Sequence, residues 1–206
     1  MVKRAFRTFL LLAGPLLILS ACAAGTRLNV PGELTRPARA VKPAAGAPRA
    51  AVLDFSYAAA PDGVLGRDFD RIRPIVWKGR PGMTMADLIA GALGESGVAA
   101  VRGGADGSGT EGVPVRISGV VRRFEVNARS TGGVSRTTEA TVSVTFTAEG
   151  PELSGPSQHT VTGSASREVL IVTPEDLREV LMSAANNVAE EAARKLLEAR
   201  VFSPAS

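Results

Sequence analysis

The sequence predicts an α+β fold: a mainly antiparallel sheet, one face of which is covered by a short helix from the first half of the chain and a long helix at its end. Three observations predict it. Between Thr138 and Ala148, the residues Ala140, Val142, Val144, Phe146 and Ala148 alternate strictly with polar ones, as in a strand with one buried face. From Thr173 onward, Leu177, Leu181, Ala184, Val188, Ala192 and Leu196 recur at helical spacing. A helix with such a stripe must cover something, and a half-buried sheet supplies the surface.

The other elements follow in chain order. Ala51 to Tyr57 reads as a first strand, closed by turn chemistry at Pro61, Asp62 and Gly63. Thr84, with Asp87 three residues on, reads as the N-cap of a short helix that presents Met85, Leu88, Ile89, Ala92 and Leu93 and stops at Gly94 and Gly97. Val98 to Val101 makes a brief strand ahead of a Gly-rich loop. Val115, Ile117, Gly119 and Val121 then share one face, but the phase switches to Phe124, Val126 and Ala128, which predicts a bulge near Arg122 and Arg123. Residues 158–172 repeat the alternation more weakly through Val161, Gly163, Ala165, Val169 and Ile171. The last helix takes Thr173 as cap, Pro174 at its first position, Glu175 and Asp176 in its first turn, and Arg194, Lys195 and Arg200 near its end, as the helix macrodipole favours.

Residues 1–21 read as a cleavable signal. Lys3, Arg4 and Arg7 precede an apolar run from Phe9 to Leu19, which at 11 residues is too short to span a bilayer, where about 20 are needed. Leu19-Ser20-Ala21-Cys22 resembles the lipobox of bacterial lipoproteins. The resemblance implies that the Cys22 sulfur is diacylglycerylated, that cleavage falls before it, and that the new amine is acylated. Two or more acyl chains anchor a protein stably. Ala23, in place of an aspartate, implies the periplasmic leaflet of the outer membrane, with the inner membrane as the alternative. Cys22 is the only cysteine, so no disulfide forms within the chain.

Residues 22–49 read as the lipidated cysteine followed by a tether, because Pro31, Pro37, Pro43 and Pro48 stand among Ala, Gly and Arg with few large apolar side chains. Extended, such a tether would hold a domain several nanometres off the membrane. Residues 50–206 then form a single domain. Charge divides along the same boundary: 23–49 is basic, while 50–206 carries 16 basic and 19 acidic residues. The overall basicity is therefore no sign of nucleic-acid binding.

Candidate chemistry is sparse. Gly107, Gly109 and Gly112 have the spacing of a phosphate-binding loop, but Val113, Pro114 and Val115 lead into a strand where that motif needs a helix. His159 is the only histidine and lies in a strand-like run without a nucleophile motif. Asp68 and Asp70 would be neutralised by Arg67, Arg71 and Arg73. No catalytic residue, metal site or cofactor is indicated. The segment from Ala58 to Met83, roughly 26 residues, is long for a connection. It holds the only tryptophan, Trp77, near Ile72, Ile75 and Val76. Tryptophan and arginine often anchor interfaces. Two readings stand: Trp77, Arg71 and Arg73 form a partner-binding surface, or Ile72 to Trp77 is a further strand with Trp77 in the core.

The order of lipobox, tether, strand, amphipathic helix, Gly-rich turn, three alternating strands and long final helix resembles the YajG-like family of bacterial lipoproteins. The likeness is carried by Thr84 to Leu93, Val115 to Ala128, Thr138 to Ala148 and Thr173 to Leu197. It implies an α+β domain with no assigned activity, similar in architecture to periplasmic lipoproteins that brace transport machines or activate cell-wall synthases. The expected function is a membrane-anchored accessory module that binds an envelope protein. The alternative is a lipid or glycolipid carrier, which would need an apolar cavity where the module would have a closed core.

Overall fold

The computed structural model describes residues 27–32, 44–57 and 63–202. The elements run β1 (Leu28–Asn29), β2 (Arg49–Leu53), β3 (Ser56–Tyr57), β4 (Val64–Asp68), β5 (Arg73–Val76), α1 (Pro81–Glu95), β6 (Ala99–Gly103), β7 (Val115–Ser130), β8 (Arg136–Glu149), β9 (Ser157–Val169) and α2 (Pro174–Glu198). The signal and Cys22 lie outside the described residues.

β7, β8 and β9 form a long antiparallel meander. The five side chains of β8 that the alternation marks are all buried, and Thr138 joins them on the same face. The phase switch in β7 is a bulge between Val121 and Arg123, which brings Phe124, Val126 and Ala128 to the face already taken by Ile117 and Val121. α2 packs on β8 and β9, α1 packs on β6, β2 and β7, and the two helices touch each other. At Gly163 in β9 a Cβ would stand 2.8 Å from the Ala184 carbonyl, so the missing side chain lets α2 settle onto the strand. On its other face the meander is polar, with Ser143 and Thr162 hydroxyls 2.9 Å apart and Thr145 and Thr160 hydroxyls 3.0 Å apart.

The free edge of β7 holds three short strands end to end, and here the sheet is mixed rather than mainly antiparallel. β2, β3 and β4 each pair with β7 in parallel. β6 adds to β2 in parallel, β5 adds to β4 antiparallel, and β1 adds to β5 in parallel. The sheet therefore forks, with β6 and β2 on one prong and β1, β5 and β4 on the other.

Two further expectations are corrected. α1 starts at Pro81 with Arg80 as its uncapped N-cap, and Thr84 is buried inside the helix. Proline at the first position supplies the start that a capping side chain would otherwise mark. The domain also begins before Ala50. Leu28 and Val30 are buried in the core, Val30 N–H donates to the Val76 carbonyl at 2.9 Å, and β2 starts at Arg49. The tether expected over 22–49 thus contains a strand, because two apolar side chains ahead of Pro31 suffice to fill an edge position.

Candidate functional site

Trp77 closes the question that the Ala58 to Met83 segment posed. It is only 3% exposed, follows β5 directly, and stacks on Phe124 at 5.6 Å between ring centres. Tyr57 meets the same Phe124 edge-on at 6.4 Å. Burial, and secondarily the negative charge of Glu125, push the Tyr57 phenol above its ordinary value. The indole N–H donates to the Gly32 carbonyl at 3.0 Å, tying β1 to the row. At Gly79 a Cβ would fall 1.9 Å from the indole ring, so the chain can double back over Trp77 only with glycine there.

The three residues expected to share a partner surface are separated. Trp77 is core. Arg73 donates to Asp68, which is fully buried, at 2.7 Å. Arg136 from β8 approaches the other Asp68 oxygen at 3.5 Å and Asp70 at 3.6 Å. Arg71 is exposed on the β4–β5 turn and takes no part in this network. Arg67 is likewise outside it; its backbone N–H donates to the Asn127 side chain at 2.9 Å. Arg136 could not have been assigned from the sequence, since it reaches Asp68 only once β7 and β8 have folded back beside β4.

The edge of Trp77 instead backs an open groove of about 710 Å³ between the end of β1 and the start of α1. Val30, Val76 and Met83 give it apolar walls, and Lys78, Arg80 and Asp87 stand at its rim. Asp87 is engaged by Arg102 at 2.6 Å, and the same Arg102 holds Asp54 at 2.5 Å and the Val52 carbonyl, locking β2, β6 and α1 together. Arg80 reaches the Met83 sulfur at 3.3 Å, and among the described residues neither it nor Lys78 has a carboxylate partner. The described lining of the groove therefore offers apolar contact and net positive charge. A second, shallower hollow of about 330 Å³ lies where Asp54, Ser118, Arg122, Thr145 and Gln158 meet.

The remaining candidates settle into structural roles. Gly107, Gly109 and Gly112 all take positive φ in a turn-rich loop, where buried Thr110 donates to the Gly107 carbonyl at 2.6 Å. His159 lies on the edge strand β9 beside Phe146, its Nε2 2.9 Å from the Ser157 hydroxyl. Strand alternation alone puts residues two apart on one face, and no carboxylate holds the ring among the described residues. No group of three or more His, Cys, Asp or Glu side chains that could hold a metal ion is found among the described residues.

The fold has relatives among solved structures. A Xanthomonas campestris protein of the family DUF330 superposes with a TM-score of 0.54 at 16% identity, over 85% of this chain and 97% of its own. An uncharacterised protein gives 0.50 at 10% identity, over 83% and 99%. Weaker matches include a minor lipoprotein from Acinetobacter baumannii, with a TM-score of 0.40 at 13% identity, over 77% and 96%. At these identities the first two establish a shared fold. No protein-family model and no curated protein matches the chain. Among the described residues no helix is long and apolar enough to cross a membrane.

Proposed function

We propose that this chain is a lipid-anchored accessory protein of the bacterial envelope, held to the membrane through Cys22, whose groove beside Trp77 takes a segment of another envelope protein. The groove is the observation that carries the reading. Its apolar walls are fixed by the Trp77, Phe124 and Tyr57 row, so the surface is formed before a partner arrives. Lys78 and Arg80 at its rim suit a segment that combines apolar side chains with carboxylates. The reading rests on binding and assigns the chain no catalysis.

A photoreactive side chain placed at Met83 in living cells tests this. One discrete protein adduct is expected, weakened when Lys78 and Arg80 are both changed to Glu, and absent when the same group stands at Thr162 on the open sheet face. An adduct that forms equally from both positions, or that ignores the charge reversal, contradicts the proposal. Carriage of a lipid or glycolipid is a second reading, favoured by the volume of the groove; its mark would be an adduct with the mass of a lipid. Against it stand the open shape and the charged rim, which leave an acyl chain only partly covered.

A further inference from the structure

One end of the sheet gathers exposed apolar side chains that the core does not use. β4 and β7 run toward this end, and β5 leaves it. The β4–β5 turn puts Phe69 and Ile72 there, the β7–β8 turn puts Val134 there, and the link from β9 to α2 puts Leu170 and Ile171 there. The register shows that these turns are level, since Asp68 pairs with Ala128, Ser130 with Arg136, and Arg136 with Val169. All five side chains are between 57% and 83% exposed. Ile72 also has φ of +51°, a conformation costly for a β-branched residue, in which glycine or asparagine would serve a turn better.

The direction of β1 says what this end faces. β1 is parallel to β5, with Leu28 opposite Ile75, so it too runs away from the apolar end, and Arg27 stands on the side of Leu28 nearer that end. Cys22 is five residues before Arg27, a span of at most about 18 Å even fully extended. An acyl-anchored Cys22 thus keeps this end close to the bilayer, and the groove beside Trp77 opens toward the far end of β5.

We infer that Phe69, Ile72, Val134, Leu170 and Ile171 form a membrane-docking rim, seated in the interface of the same bilayer that takes the Cys22 acyl chains. The inference rests on the lipid anchor of the proposed function. Six strands from β1 to β9 make the rim roughly 24 Å wide, so several side chains enter the interface together and the domain is fixed in orientation rather than swinging on a tether. Docking is apolar more than electrostatic, because Arg73 and Arg136 are already occupied by Asp68 and Asp70, which leaves exposed Arg71 as the cation of the β4–β5 turn beside five apolar side chains.

The test uses the mature lipidated chain in phosphatidylcholine vesicles with and without bromine on the acyl chains. Phe69→Trp and Leu170→Trp each add an indole at the rim, and Thr162→Trp adds one on the open sheet face as control; the buried Trp77 signal of the parent is subtracted. Brominated lipid is expected to remove most of the added emission at positions 69 and 170 and none at 162, and salt should not restore it. Intact mass on the same samples reports acylation. Unacylated protein overturns the anchor reading itself. Acylated protein whose added indole keeps its emission at either rim position overturns the docking rim alone, and a blue shift without loss would assign the patch to a protein contact.

Discussion

The half of the molecule made by β7, β8, β9 and α2 and the corner made by β1, β4 and β5 solve the same packing problem in different ways. In the first, strands of 13 to 16 residues pair with their sequence neighbours through hairpins, and each repeats its apolar side chains every second position. In the second, strands of two to five residues include one local hairpin, β4 with β5, but β1 on β5 and β4 on β7 join segments far apart, and the contact that closes the corner, Trp77 to Gly32, joins residues 45 apart. Long local ladders announce themselves; short distant ones depend on contacts that exist only after the rest has folded.

That difference can be broken at the corner first. A chain beginning at Ala50 should be less stable than one beginning at Ala23 by about 3–6 kcal/mol, the burial contribution of Leu28 and Val30. A lower urea midpoint is the expected sign, and equal midpoints would return residues 27–32 to the tether. Trp77→Ala should cost about 3–5 kcal/mol, since it empties the site over Phe124 and leaves the Gly32 carbonyl without its donor. A melt unchanged by that substitution would make Trp77 a surface residue after all.

What was legible follows the same line. The β8 alternation, the β7 bulge and the Thr173 start of α2 could all be read from residues within a few positions of one another. The parallel pairing of β2, β3 and β4 on β7 could not, because the apolar content of a two- to five-residue strand does not say which edge it joins. The same holds for the site. Trp77 stood out by rarity, yet its burial depends on Phe124 and Gly79 together. The rim residues gave no periodic signal, since Phe69 and Ile72 fall in a charged turn, Val134 follows two glycines, and Leu170 and Ile171 read as a weak continuation of β9.

Smaller changes sharpen the contrast from the regular half and from the row between the two. Thr173 accepts from the Asp176 N–H at 3.2 Å while the Asp176 carboxylate takes the Thr173 N–H at 3.0 Å. Thr173→Ala should therefore lose about 1 kcal/mol and loosen the first turn of α2 in hydrogen exchange without disturbing the corner. The Tyr57 phenol, the only one in the chain, should ionise above the ordinary tyrosine value near 10 when titrated by ultraviolet absorbance. Its folded value is raised, so its contribution to stability is complete below the unfolded value and fades as pH climbs through the folded one. Ionisation at the ordinary value would mean that the aromatic row is open to water.

The anchor underlies both the proposed function and the orientation of the rim, and intact mass of the chain purified from bacterial envelopes tests it most directly. The expected species begins at Cys22 and carries acyl groups, and Cys22→Ser should give an uncleaved, unacylated chain. A wild-type chain that starts at any other residue, or that starts at Cys22 without lipid, would contradict the account.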